Sequence, residues 1–154
     1  MDKTPNTDLK LLFPSKFRIV GLFLAVTGSI LGIIRFYYGI KPEFFNLKVF
    51  AIYSKFLETK YFEIIPNHFS EEITGILILV GLVFIVFAKE QNENKSIDSI
   101  RLQSLVISVY LNSIFLILSL LFVFGIGFIS VLIINMYSLL IIYLITFRIR
   151  IIAK

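Results

Sequence analysis

The fold is decided by residues 105–147, which read LVISVYLNSIFLILSLLFVFGIGFISVLIINMYSLLIIYLITF and contain no Asp, Glu, Lys or Arg. A helix in a water-soluble domain must turn one face to solvent, whereas lipid accepts apolar side chains all round. One helix of this length would far exceed the thickness of a bilayer, and Gly125 and Gly127 favour a reversal in the middle. We therefore predict two antiparallel spans, at about 105–124 and 128–147.

Two shorter apolar stretches lie upstream of this pair. The first lies between Arg18 and Arg35 and is longer than the apolar part of a signal peptide, so we predict an uncleaved span at about 17–38. The second predicts a span at about 73–88, with Ser70 as its N-cap. At 1.5 Å per residue this span covers only about 24 Å of an apolar core of about 30 Å.

The predicted fold class is therefore all-α, an integral membrane four-helix bundle that forms a single membrane domain over residues 1–154. Residues 1–16 are polar and contain two prolines, which predicts a flexible cytoplasmic tail. The segment between the first and second spans, residues 42–65, is rich in aromatic residues but carries several charges, so it cannot cross the membrane.

This charged segment has apolar side chains at helical spacing. One half of a helical wheel carries Val49, Phe50, Ile52, Tyr53, Phe56 and Leu57. The other half carries Lys48, Ser54, Lys55, Glu58 and Thr59. The pattern predicts an amphipathic helix at 42–65 that lies in the plane of the membrane interface. The alternative is a helix packed on the ends of the spans.

The composition excludes several classes of function. Hydrophobic residues make up 58% and charged residues 16% of the chain, whereas soluble domains carry about 25% charged residues. The net charge of +5 would attract the chain to anionic lipid headgroups. The sequence has no basic stripe on an exposed polar domain of the kind that binds nucleic acid. The chain has no cysteine and one histidine, His68, so we predict no metal site, no cofactor and no catalytic residues. The centres of the spans contain no ionisable group of the kind that a proton-coupled transporter normally uses.

The distribution of Lys and Arg predicts the orientation in the membrane. The amino tail, the linker after the second span and the carboxyl tail together carry more of these residues than the segment between the first two spans. Because cytoplasmic loops are enriched in positive charge, both termini should be cytoplasmic. We predict a multi-pass protein of the cell (cytoplasmic, or inner) membrane.

Small residues form a stripe along the first span. Gly21, Ala25, Gly28 and Gly32 share one face, and the last two form a GxxxG motif. Small residues let helix backbones approach closely in lipid, so we predict that this stripe is a helix-packing surface.

Arg35 lies on the same stripe near the end of the span. The simpler interpretation is an anchor whose side chain reaches the headgroups. The alternative is an inward-facing cation that pairs with a carboxylate such as Glu71 or Glu72.

The last two spans carry a polar intramembrane face. Its predicted members are Arg101, Ser104, Ser108, Asn112, Ser119, Asn135 and Ser138. Counting outward from the glycine reversal, Ser119 lies at the depth of Asn135, and Asn112 lies at the depth of Ser138. We expect each pair to approach across the helical hairpin and to hold the two helices together.

The third span carries a resemblance to a known group of proteins. Residues 97–105 read IDSIRLQSL and residues 109–112 read VYLN, and the glycine reversal and Asn135-Met136 follow. This pattern, mainly over residues 97–147, resembles uncharacterised small four-span membrane proteins of Bacteroidetes bacteria.

The resemblance implies a bacterial cytoplasmic-membrane protein with a shared arrangement of Arg101 and Asn112. The relatives tend to have an acidic residue where this chain has Gln103. The resemblance implies no activity.

Three functional hypotheses remain after sequence analysis. The leading one is a non-enzymatic membrane module, held in the lipid bilayer, that forms a homo-oligomer or binds a membrane-protein partner through the glycine stripe and residues 98–104. The second is a small oligomeric channel or transporter lined by the polar face and Arg35. The third is a lipid-acting enzyme or lipid sensor that uses the amphipathic segment.

Overall fold

The structure, a computed structural model, describes residues 12–55, 59–90 and 95–153. Most of these residues are helical, and two strands lie between the first and second long helices. In chain order the elements are α1 (Phe17–Gly32), a π-helical turn (Ile33–Tyr37), a 3-10 turn (Glu43–Phe45), β1 (Asn46–Lys55), β2 (Thr59–His68), α2 (Ser70–Val86), α3 (Lys95–Phe122) and α4 (Ile126–Ile152).

Three helices are long and apolar enough to cross a membrane: Phe17–Tyr37, Ser96–Phe122 and Ile126–Ile152. They correspond to the first, third and fourth predicted spans, and they indicate a membrane protein. The second predicted span corresponds to α2, which has 17 residues and is about 25 Å long at 1.5 Å per residue.

The amphipathic helix predicted at residues 42–65 is wrong, because this segment forms an antiparallel β-hairpin, and the chain is therefore not all-α. Strand β1 pairs with β2 from Asn46 opposite His68 to Lys55 opposite Thr59. Valine, isoleucine, tyrosine and phenylalanine supply four of the ten residues of each strand, and these residues favour extended backbone. Three members of the predicted wheel, at residues 56–58, lie outside the described residues.

The predicted flexible tail at residues 1–16 is only partly described, since residues 1–11 lie outside the described ranges. Phe13 is held in place by a short parallel β-bridge to Ala88. Its backbone N–H donates to the Phe87 carbonyl at 2.9 Å, and its carbonyl accepts from the Lys89 N–H at 2.9 Å. These bonds hold Phe13 against the chain, and the flexible cytoplasmic tail stays a prediction.

The chain divides into two compact units, Met1–Phe23 with Val80–Lys154 and, separately, Leu24–Leu79. The first unit holds the α3–α4 hairpin, whose turn includes Gly125 at φ 65°, a left-handed conformation that glycine adopts without strain. Its buried core contains Val86, Tyr143 and Phe147. The second unit holds the β-hairpin.

Candidate functional site

A cluster of charged side chains in the first unit joins residues far apart in sequence. Glu90 accepts from Arg18 through one carboxylate oxygen, with an N···O distance of 2.6 Å, and Arg148 lies 3.3 Å from the same oxygen. Arg18 also donates to the Lys89 carbonyl at 3.2 Å. One carboxylate therefore holds the start of α1 and the end of α4 together, and the two arginines leave the cluster positively charged.

Arg101 belongs to α3, and it donates to carbonyls at the end of α2 and just beyond it. Its side chain is buried, with 5% of the residue exposed. The two terminal nitrogens donate to the carbonyls of Val86 at 3.4 Å and Ala88 at 3.1 Å. The guanidinium lies over the ring of Phe147, with 4.8 Å between its carbon and the ring centroid. A cation at a helix C-terminus is favourable because the free carbonyls carry partial negative charge.

A cavity of about 330 Å³ lies beside Arg101 in the first unit. Asp98 and Arg101 are its charged neighbours, and the rest of the lining is apolar or aromatic. The other lining residues are Leu12, Val86, Phe87, Leu102, Leu105, Leu139, Leu140 and Tyr143. This volume lies at the lower end of the range that holds small ligands.

The glycine stripe packs against α2 within each unit. In the first unit, a Cβ added at Gly21 would lie 2.7 Å from the Gly81 carbonyl oxygen. In the second unit, a Cβ added at Gly28 would lie 2.9 Å from Ile78, and one at Gly32 would lie 3.2 Å from Thr74. The predicted packing surface is therefore in contact with the chain's own helix, while Ala25 is half-buried and its carbonyl accepts from Ser29.

The polar face predicted for α3 lies against the chain itself. Ser104 and Ser108 are fully buried, and the Ser108 hydroxyl donates to the Ser104 carbonyl at 2.6 Å. In the part of the chain that the structure describes, the Ser104 hydroxyl has no hydrogen-bond partner. Arg101, on the same face, is bound at the end of α2.

The structure brings Asn112 and Ser138 together across the α3–α4 hairpin, where the hydroxyl donates to the amide oxygen. The same oxygen accepts from Asn135 at 3.4 Å. Ser119 instead donates to the carbonyl of Phe115 on its own helix, at 2.8 Å. Ser119 and Asn135, the other pair expected to approach, thus form their hydrogen bonds with other residues, and their approach stays a prediction.

The second unit contains another polar cluster, at the base of the β-hairpin. Arg35 donates to Glu71 with an N···O distance of 2.5 Å, which is the pairing described by the inward-cation alternative. His68 bridges Pro42 and Ser70, since Nε2 lies 3.1 Å from the Pro42 carbonyl and Nδ1 lies 2.9 Å from the Ser70 hydroxyl. A carbonyl only accepts, so Nε2 must carry a proton.

A wider cavity of about 610 Å³ opens at this cluster. Its polar lining includes Arg35, Lys41, Asn67, Glu71 and Glu72. The Asn67 amide donates to Glu72 at 2.8 Å, and Arg35 pairs with Glu71. These contacts connect β2 to α2 and the π-helical turn to α2. A structural role therefore explains why the charged side chains lie close together.

One face of the β-hairpin exposes large apolar side chains, and we call this set the hairpin face. Its members are Phe50, Ile52, Phe62 and Ile64, with 63%, 65%, 69% and 70% of each residue exposed. Phe50 pairs with Ile64 across the strands, and the rings of Phe50 and Phe62 are 6.4 Å apart. An apolar patch on an element that lies outside the helices indicates a contact surface.

Sequence reasoning missed the Glu90 cluster and the role of Arg101 at the end of α2, because both depend on contacts between distant segments. Among the described residues no group of three acidic or histidine side chains could hold a metal ion. Comparison of the chain with protein-family models, with curated proteins and with solved structures finds no significant match. The resemblance to small Bacteroidetes membrane proteins stays a prediction.

Proposed function

We propose that the chain is a non-enzymatic membrane module that crosses the membrane four times and assembles with a protein partner through its β-hairpin. The observation that carries the proposal is the hairpin face. An isolated two-stranded hairpin is at best marginally stable in water, and stable sheets usually have a third strand or a packed element over their apolar face. A protein partner that adds a strand to the hairpin, or that covers the hairpin face, would supply that missing contact.

The internal contacts of the helices support assembly through the hairpin. The glycine stripe packs against α2, and Asn112 is bonded to α4. These residues already contact other helices of the same chain, so they do not offer a free surface to a partner. The hairpin face is a large apolar patch that lies outside the long helices.

The fourth crossing is assigned to α2. It has no charged residue between Ile73 and Val86, and its 17 residues cover about 25 Å of an apolar core of about 30 Å. Close packing against the glycines of α1 supports a membrane environment, since small residues mediate helix contacts in lipid.

Four crossings place the charged cluster around Glu90 and both chain ends on one side of the membrane. That side carries Arg18, Arg148 and Arg150, which favours the cytoplasm. The β-hairpin then lies on the opposite, extracytoplasmic side, together with the turn at Gly125.

The test is site-specific photo-crosslinking of the full chain in its native membrane. A photoreactive side chain replaces Phe50 on the hairpin face, and a matched control replaces Ile126, which is apolar and 86% exposed at the turn between α3 and α4. We expect a discrete protein adduct from the Phe50 position and only lipid adducts from the Ile126 position. Lipid adducts alone from both positions would contradict assembly through the hairpin.

A further inference from the structure

The outer edge of β1 offers unpaired backbone groups. The Phe69 N–H donates to the Phe45 carbonyl at 2.8 Å, so this pair extends the ladder of the hairpin as a hydrogen-bonded pair. Hydrogen-bonded and non-hydrogen-bonded pairs alternate along an antiparallel ladder. Lys48 and Phe50 therefore direct their N–H and C=O groups away from β2. Ile52 has the same parity along β1, and the ladder contains no pair between Ile52 and Phe62.

The position of a proline in β2 independently supports this outward direction of the β1 backbone groups. Pro66, which has no N–H, lies opposite Lys48. A proline within a ladder must occupy a position whose N–H would point outward. Lys48 and Pro66 thus form a non-hydrogen-bonded pair, and the alternation along β1 agrees with the one that begins at Phe45.

The two outer edges of the hairpin differ in their ability to pair with another strand. The edge of β2 is interrupted by Pro66 and by Phe62, whose φ is 52°. In β1, Val49 to Tyr53 is an uninterrupted run without charge, glycine or proline. Among the described residues no strand pairs with this edge. An exposed regular edge of this kind is a template for another strand.

We propose that two copies of the chain pair through β1, antiparallel, with Ala51 opposite Ala51 of the second copy. The result is a four-stranded sheet with the order β2–β1–β1–β2. The proposal rests on the proposed assembly through the hairpin, and it names the partner as a second copy. The antiparallel pairing is isologous, so it closes at two copies.

The register follows from the side chains and from the direction of the backbone groups. With Ala51 on the axis, Phe50 lies opposite Ile52 of the second copy, an aromatic–β-branched pair that stabilises sheets. Lys48 then lies opposite Ser54, at each end of the paired segment. A register centred on Phe50 would place Phe50 opposite Phe50 but Lys48 opposite Ile52, so it would form one such pair where the Ala51 register forms two. The hairpin faces of the two copies form one continuous apolar surface in the Ala51 register.

The absence of cysteine from the sequence gives a direct test. The full-length Ala51→Cys variant has one thiol per chain, and it should form a disulfide-linked dimer when membranes are oxidised. The two Cα atoms of a non-hydrogen-bonded pair are about 4.5 Å apart, and a disulfide spans about 4.4–6.8 Å. Ser54→Cys is the matched control, because two copies of this residue would be about 20 Å apart along the strands. It should stay monomeric.

A mixed experiment fixes the register. Chains with Lys48→Cys and chains with Ser54→Cys, expressed together with different tags, should form a disulfide between the two tags. Adding Ile52→Pro to Ala51→Cys removes an outward N–H that the hairpin itself does not use, and it should abolish the dimer while the variant still inserts in the membrane.

Several outcomes would overturn the pairing. One is an Ala51→Cys variant that inserts in the membrane, keeps its thiol reactive and gives no dimer. Another is a Ser54→Cys dimer of equal yield. Photo-crosslinking from Phe50 separates this failure from failure of the proposed function. An adduct with a protein of another mass rejects the second copy and keeps assembly, whereas the loss of every protein adduct rejects both.

Discussion

Gly21→Ala should destabilise the packing of α1 on α2 in the first unit. The added methyl group would lie 2.7 Å from the Gly81 carbonyl oxygen, 2.8 Å from the Phe84 Cβ and 3.0 Å from the Ile85 nitrogen. Favourable contacts between carbon atoms begin at about 3.5 Å. Two of the three atoms belong to the backbone of α2, so relief requires the helices to separate.

The expected magnitude combines two opposing effects. Overpacking of a close contact costs about 1–3 kcal/mol. Alanine favours a helix over glycine by about 0.8–1.0 kcal/mol, which offsets part of that cost. The net loss of unfolding free energy for Gly21→Ala should therefore be about 0–2 kcal/mol, and the two contacts below 3.0 Å favour the upper part of this range.

Other glycines of the same chain provide matched controls, because each replacement adds the same methyl group to a helix. At Gly32 the added Cβ would lie 3.2 Å from one Thr74 methyl, and at Gly127 it would lie 3.6 Å from Val123. We expect almost no change for Gly32→Ala and no loss, or a small gain, for Gly127→Ala. Gly28→Ala, with three atoms at 2.9–3.0 Å, should resemble Gly21→Ala.

Equilibrium unfolding in mixed micelles, with SDS as denaturant, measures these differences. The midpoint should fall for Gly21→Ala and Gly28→Ala and stay in place for the other two. The reasoning is refuted if Gly21→Ala and Gly127→Ala unfold at the same SDS fraction, because the contact with Gly81 would then carry no energy.

Three further predictions concern side chains that hold the helices together, and the same SDS unfolding measures each of them. Arg101→Leu should lower the unfolding free energy by about 1–3 kcal/mol, because it leaves buried carbonyls without a donor; an unchanged midpoint would contradict its role at the end of α2. Asn112→Leu should cost about 0.6–2 kcal/mol, while Ser113→Leu, on the exposed side of the helix, should cost nothing, and equal effects would reject the interhelical bond. Glu90→Gln should also lower the unfolding free energy. Arg148→Gln should cost less in a chain that already carries Glu90→Gln than it costs in the unchanged chain, and equal costs in the two chains would show that the two side chains do not interact.

The helical part of the fold could be predicted because it depends on a local property. Runs without charge, such as residues 105–147, must avoid water wherever they occur, and Gly125 breaks the run at the place where the structure turns. The β-hairpin could not be predicted in the same way. Val49, Phe50, Ile52 and Tyr53 fall on one half of a helical wheel, and their residue types also favour extended strands. The apolar pattern alone therefore does not distinguish a helical repeat from a strand repeat.

The candidate sites differ in the same way, because only those that depend on residue spacing could be predicted from the sequence. Counting outward from the glycine reversal placed Asn112 and Ser138 at the same depth on two helices, and these residues meet in the structure. No spacing rule joins Arg18 to Glu90, which are 72 residues apart. Such a pair forms because the ends of two helices meet, and that meeting follows from the packing of the whole unit.

The position of Arg101 gives a physical reason for the shortness of α2. A helix of 17 residues that crosses an apolar core of about 30 Å ends before it reaches the headgroups. Its last carbonyls would then lie where no water can satisfy them, which is unfavourable in an apolar core. Arg101 donates to the carbonyls of Val86 and Ala88 from α3, and the buried ring of Phe147 lies against its other face. The proposed crossing by α2 thus depends on a hydrogen-bond donor supplied by another helix. Arg101→Lys replaces the planar guanidinium with one compact ammonium group, so it should recover only part of the stability that is lost in Arg101→Leu.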